Sequence, residues 1–535
     1  MALKKRGDVE RDSNGRFRGA GAYQTKVPGP EVTFTPLIEA TCSLRDALED
    51  ADFLLNNLSN CAPGVPTVII RASPGSGKST LQRKLMADRV KAGQNGIIAF
   101  HVPTLALAEE AAHHALDLGI EAQAIRGRSA TQPSGEGTMC AKADIVNRAS
   151  RLGISVRDNF CERKDEDGTV RRCSYFENCA YLEQFTKNAT HRFLATTYMG
   201  LPDPSGTKCT QRVVDETFWR EFVKIHDFEA TSFTVPRTFM SSRRASEHAD
   251  LLVAARDVFA ALIRGQSPLA LPYTDEDYSK FEKLEWEAKR SSEDLAPDQD
   301  SKRQRQALTK AEQDYRKVGS FSALWSVLSA AKANGAKVCE RIRLYQADGK
   351  HMIRVMTKRQ LRHREPMLVL DADADLEIMT AIGCNVIKKH ELVLKPNAIV
   401  RQLHDNRMCT TSLIHSAQLR QKWREIIAKE VLVDRLGQAS GVLVGASRKV
   451  VRAFFEDAGY KFDGMSDDAV SRFMLDTALH GAHWLWLGSR ALGSNRYENC
   501  SSVIVIGREE IPTQALEDLG AALWGDIVGE PLDLV

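Results

Sequence analysis

Val65-Pro66-Thr67-Val68-Ile69-Ile70 runs into Ala72-Ser73-Pro74-Gly75-Ser76-Gly77-Lys78-Ser79-Thr80 and then into Leu81-Gln82-Arg83-Lys84-Leu85-Met86. The first stretch is an apolar run of strand length, and the last has the composition of a helix. A strand, a glycine-bearing turn, then a lysine and a hydroxyl opening a helix predict a phosphate cradle. Backbone N–H groups of the turn and of the helix start lack intrahelical partners and point at whatever anion sits there. Lys78 is expected on the β and γ phosphates of a nucleoside triphosphate, and the Ser79 hydroxyl on Mg²⁺. The whole turn from Ala72 to Thr80 is expected to line the nucleotide.

Outward from this turn, Ser43-Leu44-Arg45-Asp46-Ala47-Leu48 begins a helical pattern that would pack beside the first strand. Asn95-Gly96-Ile97-Ile98-Ala99-Phe100-His101-Val102 reads as a second buried strand, with a helix from Leu105 to Leu118 behind it. Alternating strands and helices predict an α/β fold with a parallel sheet covered on both faces. Further on, Arg212-Val213-Val214-Asp215-Glu216 is an apolar strand ending in two carboxylates. Phosphoryl transfer to water needs a carboxylate for the metal and a group that orients the nucleophile. Asp215 is expected to hold Mg²⁺ and Glu216 to act on the water, so the two motifs together imply ATP hydrolysis.

The chain has 535 residues, more than one ordinary core accommodates, and two to four domains are expected. Its 73 basic and 70 acidic residues nearly cancel, so nucleic acid would have to be met by local patches. No apolar run approaches the roughly 20 residues of a membrane span. The N-terminus has no apolar signal core, which predicts a cytoplasmic protein with no membrane partner. Eleven cysteines in a reducing compartment are not a disulfide scaffold, and some are candidates for metal binding.

At this point the chain resembles the superfamily 2 helicases. The resemblance rests on the phosphate loop, where Ala72 replaces the usual first glycine as is common in that family. It rests also on Pro103-Thr104-Leu105 after the second strand and on Asp215-Glu216-Thr217-Phe218. Pro103-Thr104-Leu105 is similar to the family's contact with the backbone of a tracked single strand. Leu370-Asp371-Ala372-Asp373-Ala374-Asp375 is similar to the segment that couples the ATP site to nucleic acid, made acidic here. Arg490-Ala491-Leu492-Gly493-Ser494-Asn495-Arg496 resembles the second-domain loop that meets nucleotide and strand. The family's terminal arginine helix has no counterpart, since Thr513-Gln514-Ala515-Leu516-Glu517-Asp518-Leu519 contains no arginine. Arg490, Arg496 and Arg508 are candidates for that role, each with a plain surface reading beside it.

The resemblance implies two RecA-like P-loop domains with two insertions. Residues 1–35 read as a disordered basic tail, 36–220 as the first motor domain with a cysteine-containing insertion at about 135–185, and 221–350 as a helical, arch-like insertion. Residues 351–385 return to the first motor domain, and 386–535 form the second. Strands are expected at 366–371, 399–403, 441–445, 484–488 and 502–507.

Cys140, Cys161, Cys173 and Cys179 lie together in the first insertion with 20, 11 and 5 residues between them. Four thiolates can hold a [4Fe–4S] cluster or a tetrahedral Zn²⁺, or they can be unligated buried thiols. No Cys-x-x-Cys pair occurs, which speaks mildly for the cluster. Helicases of the XPD and DinG type place a four-cysteine iron–sulfur domain in this interval, and Thr196-Thr197-Tyr198-Met199-Gly200-Leu201 also resembles theirs. Arg163, Lys164, Arg171 and Arg172 with Tyr175, Phe176 and Tyr181 suit unpaired bases, or equally a charged loop beside a small aromatic core. Cys42, Cys61, Cys209, Cys339, Cys384, Cys409 and Cys500 read as core residues. His101, His113 and His114 read as helix-face residues. The resemblance thus implies an ATP-dependent DNA helicase or translocase, with single-stranded DNA or a forked duplex and replication or repair proteins as partners. The alternatives are a nucleic-acid-stimulated ATPase that does not unwind, acting on RNA or remodelling a protein complex, and an ATP-binding module with degenerate hydrolysis.

Overall fold

The computed structural model describes residues 36–58, 63–94, 96–186, 191–201, 209–237, 244–287, 295–315, 317–395, 398–402, 408–437, 441–487, 495–497, 499–507 and 511–525. The basic tail, Cys61, Arg490 and Arg508 lie outside these residues. The strands are β1 (Val65–Ala72), β2 (Ile98–Val102), β3 (Ala122–Ala124), β4 (Glu162–Lys164), β5 (Val170–Arg172), β6 (His191–Ala195), β7 (Gln211–Asp215) and β8 (Val223–Glu229). There follow β9 (Ile342–Ala347), β10 (Lys350–Lys358), β11 (Met367–Leu370), β12 (Cys384–Leu392), β13 (Val442–Ala446), β14 (His483–Trp486) and β15 (Ser502–Val505).

Seven strands form one parallel sheet in the order β12-β1-β11-β7-β2-β6-β3. Its central strands β1, β11 and β2 are near-continuous apolar runs because both faces are covered there, while edge strand β12 carries Lys388, Lys389 and Glu391. Helices Leu37–Asn56, Lys78–Lys91 and Leu105–Asp117 close one face over Val68, Ile70, Phe100, Val213 and Leu370. The other face buries Val65, Ile69, Val214 and Val369 under Phe218, Phe222, Met379 and Leu523. The α/β class and the large parallel sheet are as expected, as are the strands at 98–102, 211–215 and 367–370.

The stretch from 221 to 350, expected to be helical, also contributes β8 and β9, which pair antiparallel with β10 in the order β8-β10-β9. Helices Ala245–Ile263, Asp275–Trp286 and Val318–Ala333 build a core on that sheet around Trp325, Tyr278, Phe233 and Phe321. Helix Ser301–Tyr315 also belongs to this stretch. That helix packs against the cysteine insertion, with Leu308 and Ala311 on Ile145, Val146 and Phe160.

A second α/β lobe carries the three-stranded parallel sheet β14-β13-β15. Helices Ala417–Leu436, Arg448–Asp457 and Asp467–Asp476 all pack on the face holding Val444, Trp484 and Ile504. On the opposite face Val503 and Val505 are exposed. The strand expected at 399–403 is absent from the described part of that range, where Ile399 and Val400 are exposed and non-regular. Helix Thr513–Trp524 does not belong to this lobe. It returns to the first body, where buried Asp518 accepts hydrogen bonds from Arg343 (3.2 Å) and Arg354 (2.6 Å), and Ala521, Ala522 and Leu523 are buried. Among the described residues no helix is long and apolar enough to cross a membrane.

Candidate functional site

The turn from Ala72 to Thr80 hangs from the carboxyl end of β1, and the paired acids from that of β7, with β11 between the two strands. The carboxyl edge of a parallel sheet is where open α/β folds bind ligands. Gly75 (φ 76°) and Gly77 (φ 79°) both adopt the left-handed region, and a Cβ built at either meets nothing within 4 Å. The turn therefore needs glycine for its dihedrals and not for space. Gly77 immediately precedes helix Lys78–Lys91. Ser73 ties the turn to the sheet edge, donating its N–H to the Leu392 carbonyl (3.2 Å) and accepting the Leu394 N–H at its Oγ (3.0 Å).

The four residues expected to carry the chemistry meet here. Lys78 Nζ donates to Glu216 Oε1 at 3.1 Å, and Ser79 Oγ donates to Asp215 Oδ2 at 2.5 Å. The Lys78 side chain is 6% exposed and that of Glu216 is 42% exposed, so the lysine is fixed while the carboxylate faces the open side of the crevice. Glu216 has φ 75°, an uncommon backbone state for a non-glycine residue that costs on the order of 1–3 kcal/mol. Its N–H is held by the Leu370 carbonyl at 3.0 Å, and the turn directs its side chain back to Lys78. Asp215 is deeply buried, and burial pushes its carboxyl up to about 6 against the pull of the Ser79 hydroxyl and Lys78. Its Oδ1 has no hydrogen-bond partner among the described residues, and neither has Ser76 Oγ. A buried carboxylate oxygen without a donor, beside a serine hydroxyl, fits a divalent cation. Thr80 Oγ1 accepts Arg83 Nη2 at 3.4 Å, and Arg83 Nε donates to His114 Nδ1 at 2.9 Å.

Two segments that the family resemblance marks follow β11 and β2 at the same carboxyl edge of the sheet. Asp371, buried at the end of β11, accepts from Thr217 Oγ1 (3.0 Å) and from the Asp373 N–H (3.0 Å). Thr104 caps helix Leu105–Asp117, its hydroxyl accepting the Leu107 N–H at 3.3 Å. Arg496 lies in the second lobe, where it pairs with Asp476 at 2.8 Å and stacks near Tyr497.

Cys140, Cys161, Cys173 and Cys179 line one concavity together with Val146, Phe160, Tyr175, Phe176 and Leu182. The peptide scaffold brings them there: the Cys173 N–H donates to the Cys161 carbonyl (2.9 Å) at the open end of the β4–β5 hairpin. Tyr181 N–H donates to the Met139 carbonyl (2.9 Å), which ties the fourth cysteine's segment to the first. Burial pushes the Cys140 thiol up to about 11 and raises that of Cys161. No group of three or more His, Cys, Asp or Glu side chains that could hold a metal ion is formed among the described residues. The thiols stand around the walls of the concavity. Arg163, Arg171 and Arg172 are engaged by Asp165 and Glu162, and Tyr175 is exposed.

Two sequence expectations are corrected. His101 is not on a helix face: it sits in β2, fully buried, with Arg212 Nη1 at 3.2 Å from its Nε2. Burial and that guanidinium hold it well below the usual histidine range. Arg212 itself pairs with Glu365 at 3.3 Å, a network with no motif to announce it. Cys42 and Cys409 are exposed, not core. The Thr217–Asp371 link was also invisible in the sequence, although both residues stand in segments that the family resemblance marks. Neither a family model nor a curated protein matches this chain.

Proposed function

We propose that the protein is an ATP-dependent superfamily 2 DNA helicase or translocase that hydrolyses ATP with Mg²⁺ to move along single-stranded DNA and separate duplex. The observation that carries the reading is the convergence of Lys78, Ser79, Asp215 and Glu216 at one sheet edge. In this reading the turn from Ala72 to Thr80 cradles the phosphates. Ser79 and the unsatisfied Asp215 oxygen would hold the cation, whose charge would offset that developing on the phosphoryl group. Glu216 leaves Lys78 when the γ phosphate arrives and orients the attacking water. A second RecA-like domain, a cytoplasmic location and an arginine from Arg490 or Arg496 reaching the γ phosphate belong to the same proposal. For Arg496 this requires release from Asp476.

A [4Fe–4S] centre at Cys140, Cys161, Cys173 and Cys179, with zinc as the alternative, completes the XPD and DinG likeness. Such a centre would supply a rigid cross-link between chain segments that otherwise meet only through short strands and turns. ATP turnover with and without single-stranded DNA, and unwinding of a forked duplex against a Lys78→Ala control, test the reading. ATP turnover that DNA does not stimulate removes the motor. The rival, an ATPase that does not unwind, is favoured by one observation: helix Thr513–Trp524 lies on the first body and carries no arginine. Stimulated turnover without strand separation would select it.

A further inference from the structure

The chain leaves the first body from the strand that lies beside β1. β12 is an edge strand of the seven-stranded sheet and pairs parallel to β1, from Val65 beside Cys384 to Ala72 beside Leu392. Past that register both strands have ended, yet the two segments stay joined. Ser73 donates its N–H to the Leu392 carbonyl (3.2 Å), and its Oγ accepts the Leu394 N–H (3.0 Å). Its own carbonyl accepts the Ser76 N–H (3.2 Å), which closes the turn that precedes Lys78. One residue thus belongs both to that turn and to the exit of β12. Arg71, two positions earlier, pairs with Glu391 at 3.3 Å and donates from Nε to the Ala372 carbonyl at 3.2 Å, so the exit is also tied to the segment after β11.

The return connection is held differently. Helix Thr513–Trp524 is clamped by Arg343 and Arg354 on Asp518, and its last carbonyls accept from Arg341 Nη2 (Ala522, 3.1 Å) and Lys358 Nζ (Leu523, 2.6 Å). These four cations stand in or beside β9 and β10, none of them in the turn or in β12. The second lobe therefore hangs on two connections, and the one after Leu392 is bonded to the turn that opens helix Lys78–Lys91.

We propose that Ser73 is a positioning residue that ties the exit of β12, and through it the second lobe, to the occupancy of the turn from Ala72 to Thr80. The proposal rests on the reading that this turn takes a nucleoside triphosphate. Phosphate drawn onto the N–H groups of the turn shifts the peptides of Ser73 and Ser76, and the Leu394 N–H either follows the serine hydroxyl or loses it. Either event moves one of the two points from which the lobe hangs while the other stays clamped, and the lobe swings about the clamped helix. The hydroxyl is then a coupling element that both the turn and the lobe bias, so that lobe position in turn alters nucleotide affinity.

The test uses the full chain as wild type, Ser73→Ala and Ser73→Thr, with donor and acceptor dyes attached through non-natural residues at the exposed positions Asp46 and Lys449. The alanine deletes the acceptor of the Leu394 N–H, and the threonine restores it. Energy transfer between the dyes is read with and without Mg²⁺ and a non-hydrolysable ATP analogue. Binding of the analogue is measured separately, and every comparison is made at saturation so that weaker binding alone does not change the result. Hydrogen exchange at residues 391–395 reports the bond itself. Without nucleotide, Ser73→Ala is expected to exchange the Leu394 amide about two- to tenfold faster, the usual reach of one hydrogen bond. At saturation it should lose roughly half or more of the wild-type change in energy transfer, which Ser73→Thr should recover. An equal change in wild type and Ser73→Ala would overturn the proposal. So would a loss in both variants alike, since the threonine keeps the hydroxyl. Wild type that binds the analogue without any change in energy transfer sinks the proposal and leaves the nucleotide site standing. Wild type that binds no analogue removes the site itself, and the proposal with it.

Discussion

Thr217 Oγ1 donates to Asp371 Oδ2 across 3.0 Å, joining the residue that follows the paired acids to the end of the neighbouring strand β11. Asp371 is buried and spends its other oxygen on the Asp373 N–H, so it has little freedom to accept elsewhere. In the proposed motor this bond would pass a change at Glu216 to the segment expected to couple the ATP site to nucleic acid. Thr217→Val should leave ATP binding intact and lower the factor by which single-stranded DNA stimulates turnover. A coupling of this kind is typically worth about 5-fold to 150-fold. Steady-state turnover at saturating ATP, with and without DNA, measures it, and an unchanged ratio would count against the link.

Lys78 and Glu216 form an ion pair, which nucleotide would have to displace in the proposed reading. Lys78→Ala and Glu216→Gln are therefore expected to differ in kind. The first removes a phosphate ligand and should weaken nucleotide binding as well as turnover. The second should keep binding while turnover falls by about 10²-fold or more, the usual cost of losing a general base. Binding of a fluorescent nucleotide, measured beside hydrolysis, separates them.

Asp215 gives a pH signature of determinate sign. Burial raises its carboxyl from 3.8 to about 6, so the folded protein prefers the protonated form. Stability present below pH 3.8 is lost as the pH rises through this window to about 6 and is then constant, a cost on the order of 3 kcal/mol. Asp215→Asn removes the charge at equal size. It should melt above wild type at pH 8 by a few degrees without nucleotide, with the two curves converging near pH 4. The same variant should lose ATP turnover. In wild type, Mg²⁺-dependent nucleotide binding should weaken as the pH drops through about 6, because a protonated carboxyl cannot ligate the cation.

Glu285 and Arg237 form a buried pair in the inserted domain, at 2.8 Å with Glu285 fully enclosed, and Trp325 Nε1 donates to the same carboxylate at 3.3 Å. Glu285→Ala leaves the guanidinium without its carboxylate in an apolar core. A loss of about 3–5 kcal/mol is expected, local to the inserted domain. Hydrogen exchange should rise in helices 245–263 and 318–333 while peptides of the seven-stranded sheet keep their protection.

The phosphate loop, the paired acids and the main parallel sheet were legible in the sequence because each rests on short-range signals: an apolar run, a glycine turn, a hydroxyl at a helix start. The clustering of Cys140, Cys161, Cys173 and Cys179 was legible as an interval, though the β4–β5 hairpin that folds Cys173 onto Cys161 was not. Strands β8 and β9 were missed because their residues alternate with charge on one face, and the charged helices around them dominate the composition. The Ser73–Leu394 bond and the His101–Arg212–Glu365 network carried no local signal, since each depends on chain segments brought together only by the fold. Helix Thr513–Trp524 was read as part of the second lobe from its order in the chain, whereas its Ala521-Ala522-Leu523 face finds its partners in Met356, Leu361 and Met379.

That docking has a modular consequence. With β12 in the main sheet and the last helix back on the same body, the three-stranded lobe is a loop excursion, entered after Leu392 and left before Thr513. Cutting out residues 396–510 and splicing the ends with a short glycine–serine bridge would leave every apolar cluster of the first body whole. A soluble, cooperatively melting product would make the lobe a cassette, one that could be exchanged without rebuilding the domain that carries Lys78 and Asp215.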